Sequence, residues 1–218
     1  MSNIKELKKD LGIQTKLFEN VEYRLFDKDG NLRPLFKLNR LGMAIMVALR
    51  EKVGQPIDPL TSQVKEGWLN RMAAYGVRIP FITGQWVNVL SIPNLMTNAG
   101  FAGIASRING SGGEAAFTYI AMGTGVAAAA ATDTALGTEL STLGLSRANS
   151  TASRYTTTVT NDSAQLVNTF AVTGTAAVTE SGILNAASTG TLLCRQVFSA
   201  INVVNTDNLQ ITWRVKAA

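Results

Sequence analysis

The amino-acid sequence predicts a mainly β protein: an antiparallel β-sandwich of jelly-roll or immunoglobulin-like type, with an N-terminal arm and an inserted helical hairpin. Three observations lead to this class. Charged residues thin out beyond Pro93, where Thr, Ser, Ala and Gly take over. In that half, short alternating runs recur between turn clusters such as Asn161-Asp162-Ser163 and Asn205-Thr206-Asp207-Asn208, the rhythm of an all-β domain. Ahead of it, two segments repeat their apolar residues at helical spacing instead. The expected organisation is an arm over residues 1–20, first strands plus helical hairpin over 21–93 as a docking module, and the sandwich over 94–218.

In the arm, Ile4, Leu7 and Leu11 fall at helical spacing and suggest a short amphipathic segment that orders against a neighbour, because so short a helix is marginal alone. Residues 21–26 alternate as a strand and run into the turn Asp27-Lys28-Asp29-Gly30-Asn31, followed by a second strand signal over 32–36. The alternate acids of that turn resemble the start of a calcium loop. Its Gly falls at the fourth loop position, however, and Leu38 occupies the twelfth, where a bidentate Glu is required, so no metal is expected. Leu38, Leu41, Ile45, Leu49 and Val53 then predict a helix ended by Gly54-Gln55-Pro56. Asp58 as N-cap and Pro59 at the first helical position open a second helix, with Leu60, Val64, Trp68, Met72 and Tyr75 on one stripe before Gly76. The two stripes have three possible partners: each other, the sandwich or a neighbouring subunit.

Strand patterns return over 78–82 and 86–90. Residues 95–108 read as a small-residue helix with Leu95, Phe101, Ile104, Ala105 and Ile108 inward, its Gly and Ala residues permitting close approach to a sheet. Further strands are expected over 117–122, 153–159, 165–172, 177–184, 192–204 and 209–215. Their Ser/Thr-rich faces suit an antiparallel sheet with its other side wet or against a partner.

Composition removes much catalytic chemistry. The chain of 218 residues has no His and one Cys, which excludes His acid/base work, His/Cys metal sites and internal disulfides. Cys194 sits in an apolar run beside Arg195 with no base, and reads as a structural thiol. The net charge of +5 arises before residue 94, with 14 Lys and Arg against 9 Asp and Glu there and 6 against 6 beyond. Those basic residues are interleaved with acids, so a nucleic-acid partner is not expected. The opening residues lack the apolar run of a signal peptide. The apolar stretch 41–49 is far shorter than the ~20 residues of a membrane span, so no membrane partner is expected either.

Two motifs invite chemistry. Gly123-Thr124-Gly125-Val126-Ala127-Ala128 matches a loose dinucleotide fingerprint after a strand, yet the residues beyond it read as strand and turn instead of a βαβ unit, so no cofactor is expected. Glu114, Asp133, Glu139, Glu180 and Asp207 are scattered, with no spacing that forces a catalytic pair. Glu180, in a strand-like run, is expected to form a structural ion pair with Arg195 or Arg147 across the sheet. No catalytic residue is assigned, and the expected protein is not an enzyme.

Several segments in order resemble a family of small tailed-bacteriophage virion structural proteins. They are Leu95-Met96-Thr97-Asn98-Ala99-Gly100, the run Phe117 to Gly125, the run Ala131 to Leu140, Arg147, the run Thr179 to Ala187, the run Gly190 to Phe198, and Leu209-Gln210-Ile211-Thr212-Trp213. The opening Tyr23 to Asn31 is also similar, whereas the hairpin of 38–76 departs from the pattern as an insertion. The resemblance covers about residues 93–215 and implies a virion component assembled in the host cytoplasm.

The expected function is capsid decoration: a cement protein, itself a homo-oligomer, bracing the major capsid protein or other virion proteins. The expected contact residues are Ile4, Leu7, Leu11, Leu41, Ile45, Leu49, Trp68 and Met72. A tail, collar or fibre-attachment protein is the rival. A host carbohydrate-binding module is a third reading, with Trp86, Tyr119, Tyr155 and Trp213 as stacking residues, although Trp213 and Tyr119 alternate in a way that suits the core.

Overall fold

The computed structural model of the protein describes residues 20–216. The fold is mainly β, two antiparallel sheets packed face to face. The first sheet runs in the order β2 (Leu32–Arg33), β1 (Asn20–Phe26), β13 (Asn208–Lys216), β10 (Ser163–Ala171) and β9 (Thr151–Tyr155), and β5 (Leu90–Pro93) adds to the outer edge of β1. The second runs β6 (Leu95–Met96), β12 (Leu192–Val203), β11 (Ala176–Leu184), β7 (Tyr119–Gly123) and β8 (Ala148–Asn149). A separate two-stranded ribbon pairs β3 (Leu35–Leu38) with β4 (Gly84–Val87).

Period-two alternation explains the first sheet. β1 buries Val21, Tyr23 and Leu25, and opposite them β13 buries Trp213, Ile211 and Leu209. These side chains meet Ile120, Met122, Val178, Ile183, Phe198 and Ile201 of the second sheet in one core. The Tyr23 and Phe198 rings lie with centroids 4.4 Å apart, and the indole of Trp213 donates to Ser181 Oγ at 3.1 Å across the sheets. Cys194 is fully buried in this core, and burial pushes its thiol far above the ordinary range.

The composition break at Pro93 is not a boundary in the fold. β1 is a central strand of the first sheet, and its pairing of Asn20 with Pro93 through Tyr23 with Leu90 carries β5 into that sheet as well. Backbone pairing, not charge content, decides membership.

Three helices are present among the described residues. The first, α1 (Arg40–Val53), is capped by Asn39, whose side chain accepts the Gly42 amide at 2.9 Å, and ends at Gly54. It buries Gly42, Met46 and Arg50, a stripe rotated by one position from the expected one.

The second, α2 (Trp68–Tyr75), is shorter than predicted. The Asp58 carboxylate takes the amides of Leu60 and Thr61, Ser62 adopts φ +57°, and Val64 returns to bridge Ile57, so residues 57–64 close a turn where a helix was expected. Residues 78–82, read as a strand, form the turn between Val77 and β4, pinned by the Thr83 hydroxyl on the Ile79 amide at 2.9 Å.

The third, α3 (Asn98–Asn109), packs Gly100 and Gly103 inward, with Ile104 half-buried against the core as expected. A Cβ at Gly100 would strike the Leu193 carbonyl and one at Gly103 the Phe117 ring, while Phe101 and Ile108 face out. No helix among the described residues is long and apolar enough to cross a membrane.

Candidate functional site

Strand β11 is buried along its whole length, so both its faces are covered. One face looks into the core. On the other, Ala177 and Ala200 pack against Ile57 and Ala74 of the helical module, and Leu184 and Leu192 pack against Leu136. The pairing of β11 with β12 shifts register between Val178 and Glu180. Regular alternation would give both residues the same face. Instead Val178 lies in the core, while Glu180 meets the loop that comes after β7.

Glu180 organises that loop. Its Oε1 accepts the Gly125 amide at 2.9 Å and the Thr138 amide at 2.7 Å, and its Oε2 accepts the Gly137 amide at 2.9 Å and the Arg195 Nε at 2.8 Å. Arg195 also reaches Asp133 at 2.7 Å and the Ala127 carbonyl at 3.3 Å. Burial works to lower the Arg195 pKa, but the charges of Glu180 and Asp133 outweigh it and hold the guanidinium above its ordinary value. Every lone pair of Glu180 has a donor, which leaves no oxygen to take a substrate proton. The expected ion pair is therefore present, with Arg195 as its partner.

Arg147 instead grips Glu139 through two bonds of 2.6 and 2.8 Å. The remaining acids also have separate partners. Glu114 accepts from Asn185 and Thr191, and Asp207 pairs with Arg33 at 2.5 Å. Asp27, in the turn that resembled a calcium loop, accepts the amides of Asp29 and Asn31 at 2.9 Å. Gly125, in the motif that resembled a dinucleotide loop, gives its amide to Glu180.

Between this loop and α1 lies a cleft of about 750 Å³. Met43, Met46 and Val47 form one wall, and Leu95, Val126 and Val197 face them. At its inner end Arg50 is 7% exposed and has no carboxylate partner among the described residues. Its guanidinium donates to the carbonyls of Ala73 at 2.8 Å, Phe198 at 2.9 Å, Ala74 at 3.3 Å and Val126 at 3.4 Å. It thereby ties α1 to α2, to β12 and to the loop, and burial lowers its pKa to about 10.

Large apolar side chains also reach solvent, most of them between Leu32 and Trp86. Phe81 is 97% exposed, Leu60 93%, Trp68 68% and Trp86 53%. Phe81 sits at the tip of the turn before β4 with φ +67°, a left-handed conformation that a bulky residue rarely adopts.

Of the contact residues expected from sequence, Leu41 and Trp68 are exposed, and Ile45, Leu49 and Met72 are half-buried. Ile4, Leu7 and Leu11 lie outside the described residues. Phe81 and the Met43/Met46/Val47 wall did not stand out in the sequence, and Leu60 was read only as part of a helical stripe. The alternative stripe of Met43, Met46 and Arg50 at spacings of three and four was the available signal for the wall.

The four aromatics considered for glycan stacking do not form a platform. Trp213 is buried, Tyr119 packs beside Leu136, Trp86 meets Phe36 edge-on at 5.2 Å, and Tyr155 lies under the Arg214 guanidinium at 4.4 Å. No protein-family model, curated protein or solved structure matches this chain.

Proposed function

We propose that the protein is a non-enzymatic structural component of a bacteriophage particle, a capsid decoration protein. In this reading its helical module docks on the major capsid protein and its sandwich forms the rigid body. The observation that carries the reading is the contrast between the two parts. The sandwich closes its core and satisfies its buried acids, while Leu60, Trp68, Phe81 and Trp86 project apolar surface from the module beside it. Exposed aromatic and aliphatic anchors of this kind favour a protein interface. Modest contacts multiplied over many copies, or within a homo-oligomer, brace a shell without chemistry.

The test is stoichiometry. Purified particles and tailless heads are digested, and this chain is quantified against the major capsid protein. Near-capsid copy number retained on heads is the expected result. A few copies lost with the tails would transfer the protein to the tail, collar or fibre attachment, and absence from both would overturn the virion reading.

A further inference from the structure

We propose that the protein binds copies of itself through the cleft between α1 and the loop after β7, which takes the Phe81 side chain of a second copy. Such self-assembly goes beyond the particle reading and does not depend on it.

The projecting side is a rigid turn. The Phe81 amide donates to the Gly84 carbonyl at 2.8 Å, the Thr83 amide to the Ile79 carbonyl at 2.9 Å, and the Asn39 side chain to the Ile82 carbonyl at 2.8 Å. These bonds hold Phe81 at φ +67° and 97% exposed, with Ile82 beside it 58% exposed. A residue so exposed does not lie in the cleft of its own chain. Backbone strain persists only where the surroundings fix it, and an aromatic fixed in this way loses little freedom on binding.

The receiving side suits an aromatic ring. Met43 and Met46 stand in one wall of the cleft, and thioethers pack favourably on ring edges. Arg50 also lines it, buried and with no carboxylate partner among the described residues, and a desolvated guanidinium favours an aromatic face. At about 750 Å³ the cleft has the size of pockets that enclose whole small molecules, which is room for Phe81 and Ile82. Its glutamine amides are already engaged, Gln55 with the Thr124 carbonyl at 2.9 Å and Gln196 with the Val197 carbonyl at 3.1 Å, so few groups remain to orient a polar ligand.

Charge agrees. No Asp or Glu occurs over 30–50 or over 67–113, so the β3–β4 ribbon, its turn and the start of α1 carry cations alone. Lys37 pairs with Gln85 in the ribbon, and Arg40 follows the Asn39 that holds the turn. Both are exposed and make no ion pair among the described residues. The cleft presents Glu51, also exposed and without an ion pair among the described residues. Lys52 beside it lies outside the lining, and the carboxylates behind the loop, Asp133 and Glu180, are held by Arg195.

Turn and cleft are neighbours along α1, since a Cβ at Gly42 would strike the Thr83 carbonyl and Met43 already lines the cleft. Unlike patches that bind each other join copies as a closed ring or, about a twofold axis, as a reciprocal pair.

The experiment uses the isolated full-length protein, so it and the particle stoichiometry fail separately. Wild type should sediment as an oligomer at about 100 μM chain, well above a micromolar dissociation constant. Phe81→Gly, which suits the left-handed backbone, should weaken association at least about thirtyfold, the scale of an interface hot spot, and Val47→Arg should do the same from the cleft side. Under mild oxidation, Ile82→Cys chains should link to Val47→Cys chains about tenfold faster than to Val159→Cys chains, an exposed control, while the native Cys194 stays buried.

A monomeric wild type would overturn the proposal, as would association that Phe81→Gly or Val47→Arg leaves unchanged, or equal linking in the two mixtures. Recovery of a small molecule from the cleft of the purified protein would overturn it too.

Discussion

Glu180 of β11 and Arg195 of β12 form a two-point ion pair, with Oε2 2.7 Å from Nη2 and 2.8 Å from Nε, and their side chains are 0% and 3% exposed. Because Glu180 also receives three loop amides, the pair links the second sheet to the loop that walls the cleft. Breaking a buried pair leaves an uncompensated charge and unmade hydrogen bonds. Glu180→Gln is expected to cost about 3–5 kcal/mol in urea unfolding and to speed exchange of the Gly125, Gly137 and Thr138 amides. A double-mutant cycle with Arg195→Met should return a coupling above 1 kcal/mol in magnitude, roughly the scale for contacting residues. Independence of the two sites would show that the amides alone hold the loop.

Arg50 acts through fork geometry as well as charge. Four carbonyls from three parts of the chain converge on its guanidinium, an arrangement that an ammonium with three donors cannot reproduce. Arg50→Lys should therefore destabilise the protein by about 1–3 kcal/mol, the scale for a buried polar group left unpaired. The loss should appear as a lower urea midpoint with an unchanged m-value.

Gly100 offers a test of close packing against helix propensity. Ala is a better helix former than Gly by about 1 kcal/mol. At this position, however, its Cβ would meet the Leu193 backbone, which cannot move without disturbing β12. Overpacking costs roughly 1–3 kcal/mol, so Gly100→Ala should lower the thermal midpoint despite the gain in propensity.

The exposed anchors should separate folding from docking. Leu60→Ser, at an almost fully exposed side chain, should change stability by no more than about 0.5 kcal/mol. Phe81→Gly should relieve a left-handed backbone that costs a residue with a Cβ about 1–2 kcal/mol, leaving stability equal or higher. On the proposed function, both variants lose incorporation into particles. Normal incorporation of the double variant would exclude these residues from the interface.

Asp162 sets an acid response in the loop between β9 and β10. Donors from Thr157, Thr158 and Val159 hold its carboxyl below the usual carboxylate range, with the Thr157 hydroxyl the largest influence. A lowered folded-state pKa means that the unfolded chain binds the proton more readily. The contribution is therefore complete above the ordinary carboxylate range and is lost as pH falls below it. Wild type should lose stability with falling pH more steeply than Asp162→Asn, as followed by urea midpoints from pH 6 down to about pH 3.

The strands were readable because alternation leaves a local trace. Val21, Tyr23 and Leu25 of β1 and Leu209, Ile211 and Trp213 of β13 are buried at every second position, and the sequence shows that alternation. Helix α2 was over-read because Asp58, Pro59 and the apolar spacing beyond them also suit a turn, and the Ser62 backbone selects the turn. In α1 two stripes competed. The one carrying Arg50 prevailed because carbonyls from α2 and β12, remote in sequence, satisfy the buried guanidinium.

From local periodicity and composition, the sequence by itself determined the mainly β class, the approximate strands, the absence of His chemistry and the buried, inert character of Cys194. Tertiary structure alone decided that β1 crosses the apparent boundary to pair with β13. It also decided that Arg195, not Arg147, answers Glu180, and that α1 and the loop after β7 enclose a cleft. Those outcomes depend on strand register and on partners far away in the chain. The Val178–Glu180 register shift, which turns a charge out of the core, has no period of its own to read.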